Sequence, residues 1–470
     1  MITKLHIKNF KSWKDTGELI FAPLTGFFGT NSSGKTSILQ VLLMLKQTVE
    51  SPDRKRVLNT GDNRSIVDLG MYYDIFYGHK LDEVLEIQFA WDFHRTVGIP
   101  LGREIYGIRK PIEIDSLKFN TKIKIDNDKL ANNEKHFEKA IVDEFFYLFS
   151  EKDIDSSSTE NKIGMKKSEK NQYKLDYDLR KYNYEATRQM GRAWPLPPPI
   201  KCYAFPDEVY SYYRNVGFFS KFILLFEKLF SEMFYLGPLR EYPKRSYVWA
   251  GDTPENVGIK GELAIPALLA SRNIGKMFSP GSHMRKMTVE ERVAYWLKTM
   301  GMIDKYELKP IADNRKEYEF HIMRTSTSPY VLITDIGFGV SQILPILVLC
   351  YYVPEHSIII LEQPEIHLHP SVQAFLADVF IEVVTRRNIQ IILESHSEHL
   401  LRRLQRRIAE QKIEANKTAL YFCNYENSSS AIEKLEVDLF GNIENWPKDF
   451  FGDELGDLVE KTKAEMNFKQ

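Results

Sequence analysis

The stretch Gly29-Thr30-Asn31-Ser32-Ser33-Gly34-Lys35-Thr36 matches the phosphate-loop pattern G-x-x-x-x-G-K-[ST] at every fixed position. Gly29 and Gly34 let the backbone, including the N–H groups of Asn31, Ser32 and Ser33, turn toward a β-phosphate. Lys35 supplies a cation for the β- and γ-phosphates, and Thr36 supplies a hydroxyl for Mg²⁺. The apolar runs 19–21 and 24–28 read as strand segments entering this loop. Ser37 opens a helix leaving it, over 37–46. A helix start favours an anion through its free N–H groups and its dipole.

A second group of reactive residues lies far along the chain. The run 357–361 reads as a buried strand and ends on Glu362-Gln363-Pro364-Glu365-Ile366-His367-Leu368-His369-Pro370. A phosphate-loop fold sets its second Mg²⁺ contact at the carboxyl end of such a strand, which makes Glu362 the candidate. Gln363 stands where a glutamate that polarises the attacking water is expected. Glutamine orients water by hydrogen bonds but takes no proton at neutral pH. Glu365, two residues on, is the candidate substitute. A helix over 371–385 and a strand over 389–393 complete a β-α-β unit, so both strands are expected to be parallel and central. His396 follows that second strand, where a side chain can reach a γ-phosphate or its water. His367 and His369 at i, i+2, without further ligands, do not make a metal site.

The stretch 335–342 carries Gly337, Gly339 and Ser341 just before a helix expected to begin near Ile343. It is either an ordinary glycine turn or a second anion-binding helix start. One nucleotide needs one cradle, so in the second case Gly339 or Ser341 reaches a nucleotide held by another subunit.

The elements that must position these groups divide into three stretches. Residues 1–130 hold the phosphate loop and the alternating strands 81–93 and 117–126. Residues 131–329 read as a mainly helical insertion or dimerisation region. Within it, Phe137, Ile141, Phe145 and Phe149 predict a helix over 133–149, 153–171 reads as a polar loop, and 194–199 as a stiff proline-rich connector. The apolar run 218–235 is interrupted by Lys221, Glu227, Lys228 and Glu232, so it reads as a buried helix and not a membrane span. Residues 330–470 resume an α/β alternation, with a last strand at 417–423. A tail carrying Trp446, Phe450 and Phe451 is expected to pack back on the body.

The 470 residues are 43% hydrophobic and 27% charged, with net charge −1. That composition is globular, and any nucleic-acid contact must come from a local patch. Arg402, Arg403, Arg406 and Arg407 form such a stripe at i, i+1, i+4 and i+5 of a helix. It suits nucleic acid or an acidic partner; the alternative is a solvated face balanced by Glu394, Glu398 and Glu410. Three scattered cysteines, Cys202, Cys350 and Cys423, argue against a disulfide scaffold and for a reducing, cytoplasmic setting.

Taken together, these motifs resemble the ATP-binding-cassette ATPases of the SMC, RecF and OLD branch. The opening Ile7-Lys8-Asn9-Phe10-Lys11-Ser12 is similar to their first strand, Glu362–His369 to their Walker B and D-loop stretch, Gly337–Gln342 to a degenerate signature, and His396 to their switch histidine. The resemblance implies an α/β split phosphate-loop ATPase with a mixed sheet, using ATP and Mg²⁺, that closes as at least a dimer. The middle, from Tyr235–Arg240 through Gly251 to Gly261-Glu262, resembles a bacterial subfamily of AAA ATPases, several of which act in anti-phage defence of the Septu and retron-associated types. That implies a separate effector such as a nuclease. OLD proteins carry a Toprim nuclease after the ATPase, and the stretch after His396 is too short for one. Gln363 implies slow hydrolysis, or an ATP-locked scaffold with little turnover.

Overall fold

The computed structural model describes residues 1–101, 103–104, 107–108, 111–126, 139–151, 160–168, 172–191, 194–275, 277–279, 281, 285–447, 450 and 459–465. Two large sheets organise them.

The first is antiparallel and draws on the N-terminal part of the chain. Its order runs Tyr173–Asp178, Asn161–Lys167, Ala140–Phe149, Ile112–Ile125, Leu85–Ile99, Ile2–Phe10, Trp13–Asp15, with Leu19–Ile20 also paired to Ile2–Phe10. Leu85, Ile87, Phe89 and Trp91 alternate into one core. There Phe89 meets Phe226 and Phe230 of the helix Phe219–Ser231 at ring distances of 5.7 and 5.8 Å.

Part of the region expected to be helical belongs to this sheet. Ala140–Phe149 is a strand, paired on both sides, and not the end of a helix. The four-residue repeat misleads because four is also two strand periods. Ala140, Val142, Phe145, Phe146, Tyr147 and Phe149 are all buried, so both faces of the strand are covered. Residues 133–138, with Phe137, lie outside the described residues. Asn161–Lys167 is likewise a strand where a polar loop is expected; 153–159 and 169–171 lie outside the described residues. Helices do occupy much of the later insertion, at Asp207–Tyr212, Phe219–Ser231, Ala264–Ile274 and Val289–Thr299. Beyond them a small antiparallel sheet pairs Tyr247–Val248, Lys305–Pro310, Glu317–Met323 and Tyr330–Leu332.

The second large sheet has six strands, labelled in chain order β1 (Leu24–Gly29), β2 (Met233–Leu236), β3 (Ile358–Glu362), β4 (Gln390–Glu394), β5 (Thr418–Glu426) and β6 (Ser429–Lys434). Their spatial order is β2-β3-β4-β1-β5-β6, parallel except for β6. Sequence-distant segments are therefore neighbours, and the nucleotide-type fold is split. Four helices accompany it: α1 (Lys35–Glu50), α2 (Gly339–Tyr352), α3 (Pro370–Arg387) and α4 (Glu398–Ala409).

A parallel sheet covered on both faces needs strands that are apolar throughout. Ile358, Ile360 and Ile392 belong to the core that also holds Ile38 and Leu42 of α1, whereas Ile359, Leu361, Ile391 and Leu393 belong to the core that holds α2, α3 and α4. Phe450 closes the second face against Phe28 and Phe422, at ring distances of 6.3 and 4.8 Å. Among the described residues no helix is long and apolar enough to cross a membrane.

Candidate functional site

The carboxyl ends of the parallel strands make one edge, the usual place for a ligand in such a sheet. Strand register sets Glu362 beside Glu394, Glu394 beside Phe27, and Gly29 beside Cys423. The phosphate loop, the 362–369 turn and the 394–397 turn therefore share this edge.

Both loop glycines are forced by their surroundings. Gly29 has φ +129°, and a Cβ there would lie 1.9 Å from the Cys423 carbonyl oxygen. Gly34, at φ +88°, precedes α1, and its Cβ would lie 2.4 Å from Ser430 Oγ. The Trp13 indole N–H donates to the Gly34 carbonyl at 2.9 Å. Asn31 and Ser32 are exposed; Ser33 is buried, and Ser37 is half-buried with its N–H on the Gly34 carbonyl. Lys35 is buried, and its ammonium donates to the carbonyls of Gly29 (3.2 Å) and Thr30 (2.5 Å) and to Ser33 Oγ (3.3 Å). Burial lowers its pKa, opposed by the nearby Glu394 carboxylate.

Thr36 Oγ1 donates to Glu394 Oε2 at 2.7 Å. Glu362 lies one strand further from the loop and accepts the Tyr235 hydroxyl. Burial and the Glu394 charge push the Glu362 carboxyl up to about 7. Gln363 sits at φ +43° and donates its backbone N–H to the Glu394 carbonyl at 2.9 Å; its side-chain amide lies near the Glu394 carboxylate and partly offsets the burial that raises it. Glu365 Oε1 accepts the His396 backbone N–H at 2.6 Å, while Oε2 has no partner. Burial raises the pKa of Glu365 and of Glu394. His396 is half-buried, and burial together with the Lys35 charge holds its imidazole below the ordinary histidine value.

The glycine stretch before α2 borders the 362–369 turn. Helix α2 begins at Gly339, four residues before the expected Ile343. Exposed Phe338 packs on Tyr242 and His367, at ring distances of 5.3 and 5.8 Å. Gly337 is open to solvent and Gly339 partly so. Ser341 is buried, with its hydroxyl donated to the Phe338 carbonyl at 2.7 Å.

Each arginine of the stripe on α4 is ion-paired, four arginines to three acids. Arg402 pairs with Glu398, Arg403 with Asp378 (3.0 Å), Arg406 with Glu410 (2.7 Å), and Arg407 with both Asp378 (2.6 Å) and Glu410. Asp378 takes the balancing place that the sequence suggested for Glu394, which belongs to the phosphate edge.

Sequence reasoning missed two residues here. Glu394 ends β4 as Glu362 ends β3, and that repeated strand-final glutamate was the available signal. Arg240 follows β2 by four residues and is buried near Glu362 and Glu365, with no periodic pattern to point to it.

Magnesium takes oxygen ligands, few of them from protein and the rest from phosphate and water. Thr36 Oγ1, Glu394 and Glu362 offer a hydroxyl and carboxylates of that kind. Among the described residues no three of His, Cys, Asp and Glu stand ready to hold a metal alone. The donor set therefore fits an ion that arrives with a nucleotide.

A family model described as AAA ATPase domain matches residues 1–220 and 285–401, well over half of the chain. A second, described as a protein of unknown function (DUF3696), matches 413–460. None of the curated proteins compared with the chain matches it. Solved structures similar to it include an Smc head bound to the C-terminal winged-helix domain of ScpA, at 9% identity and TM-score 0.42, covering 93% of this chain and 98% of that one. The SMC head domain from Thermotoga maritima is 11% identical with TM-score 0.37, covering 93% and 99%. The Pyrococcus furiosus Smc head with an extended coiled coil is 10% identical with TM-score 0.38, covering 98% and 99%.

Proposed function

This chain belongs to the AAA ATPase domain family, and from that premise we propose that it binds ATP with Mg²⁺ at the carboxyl edge of the parallel sheet and hydrolyses it slowly. The observation that carries the reading is the 2.7 Å bond from Thr36 to Glu394, which joins two motifs 358 positions apart. Lys35 neutralises the phosphates, and Thr36, Glu394 and Glu362 supply oxygens to the ion. When bound, Mg²⁺ neutralises charge that builds on the terminal phosphate. Gln363 orients the water, and Glu365 or His396, joined across two adjacent turns by the His396 N–H to Glu365 Oε1 bond, receives its proton.

Two subunits close around the nucleotide, with the open Gly337–Gly339 rim of one facing the phosphate loop of the other. ATP-dependent closing and opening controls a separate effector such as a nuclease. That last step, and the place in anti-phage defence that goes with it, rests on the sequence resemblance. A second reading, ATP as a lock on association with almost no turnover, is favoured by Gln363 itself, whose amide takes no proton from water at neutral pH.

Steady-state phosphate release tests the choice. Slow release, abolished in Lys35→Ala and raised about tenfold or more in Gln363→Glu, is the outcome expected of the slow ATPase. Background release from both wild type and Gln363→Glu, with ATP-dependent association intact, selects the lock. Release above background that Lys35→Ala leaves unchanged contradicts both.

A further inference from the structure

Arg240 is 8% exposed, and among the described residues none of its three guanidinium nitrogens has a hydrogen-bond partner. A guanidinium carries five N–H donors, and burying them unbonded is costly unless an acceptor is supplied. The side chain is not adrift. Its segment is pinned on both sides, by Gly237 N–H on the Ile259 carbonyl (2.8 Å) and Glu241 N–H on the Lys260 carbonyl (2.9 Å).

The Tyr235 hydroxyl and the Glu362 and Glu365 carboxylates lie near it. Neither carboxylate bonds it: Glu362 lies beside the Tyr235 hydroxyl, and Glu365 accepts the His396 N–H through Oε1 while its buried Oε2 stays unpartnered among the described residues. The fold has therefore brought a fixed, desolvated arginine to the ligand edge without giving it an acceptor of its own. Planar guanidinium donors match an oxyanion in a bidentate fork.

The sheet order decides which oxyanion. Strand β2, which leads to Arg240 four residues on, is separated from the phosphate-loop strand β1 by β3 and β4. The loop holds the inner phosphates, so an arginine beyond Glu362 meets the phosphate furthest from the loop. We propose that Arg240 binds the terminal phosphate of the nucleoside triphosphate, so that the site separates triphosphate from diphosphate. This rests on the reading that the edge binds ATP.

The test is equilibrium titration with Mg²⁺–AMP-PNP and Mg²⁺–ADP of wild type, Arg240→Gln, Arg240→Lys and Lys35→Ala. Arg240→Gln is expected to weaken AMP-PNP by about tenfold or more while leaving ADP within about twofold. Arg240→Lys keeps the charge, loses the fork, and is expected to fall between; it also serves if Arg240→Gln fails to fold. Lys35→Ala is expected to weaken both nucleotides. If wild type binds both and the AMP-PNP to ADP affinity ratio is unchanged in the Arg240 variants, whether both affinities hold or both fall, this proposal is overturned and the ATP reading stands. If wild type binds neither nucleotide, the ATP reading falls and takes the proposal with it.

Discussion

Glu144 and Glu362 are buried alike, at 8% and 7% exposed, but their proton affinities move in opposite directions. Glu144 lies on the antiparallel sheet with Lys122 at 2.8 Å and Lys166 at 3.3 Å. Burial pushes its carboxyl up, and the two lysines outweigh it and hold it below the ordinary value. Glu362 lies at the edge of the parallel sheet beside Glu394; burial and that second carboxylate push it up to about 7. One sheet has matched its buried charge on the spot. The other gathers Glu362, Glu365 and Glu394 around Lys35 and Arg240, and bonds neither cation to a carboxylate. Buried charge left unmatched in a cleft is what a binding site requires and a finished scaffold avoids.

Substituting the two glutamates sharpens this contrast most. Glu362→Gln is expected to cut phosphate release by about 100-fold or more. It is also expected to stabilise the fold at pH 8, because a carboxyl with raised affinity contributes stability below the ordinary value of 4.5 that is lost as pH rises toward about 7. Glu144→Gln is expected to do the reverse. It leaves release intact and costs about 1–2 kcal/mol near neutral pH, since its lysines are partly exposed. The Glu144 contribution is present above the ordinary carboxylate value and is lost as pH falls through its lowered one. Urea unfolding at pH 5 and pH 8, paired with phosphate release, reads both; equal behaviour of the two variants breaks the comparison.

A smaller effect is a proton. If Mg²⁺–ATP meets a Glu362 that is partly protonated at pH 7, binding should release roughly half a proton. Calorimetry in two buffers of different ionisation heat measures it, and Glu362→Gln should reduce it. Smallest of all is Arg406→Ala. Its Glu410 pair is solvent-exposed, so the unfolding midpoint and nucleotide affinity should both stay at the wild-type value.

The parts of the fold legible in sequence were those with one physical explanation. Ile358–Leu361 and Ile391–Leu393 are apolar at every position because both faces are covered, and each runs straight into a polar turn. Gly29 and Gly34 admit no side chain, so the phosphate loop is written in residue types. Ala140–Phe149 was ambiguous, because a strand buried on both faces carries no alternation and its phenylalanines fall at a spacing helices share. Glu394 carried one local signal, a strand-final glutamate like Glu362, but not its partner. Its meeting with Thr36 is set by the register of β4 against β1, and no local pattern encodes that pairing.

Calorimetric titration of Mg²⁺–ATP into wild type, Lys35→Ala and Glu394→Gln probes the joining of those two distant segments most directly. We expect wild type to bind, Lys35→Ala to lose about 100-fold or more, and Glu394→Gln to lose most of the Mg²⁺ dependence of its affinity. A wild-type chain that takes up no ATP, or an affinity indifferent to both substitutions, would contradict the account.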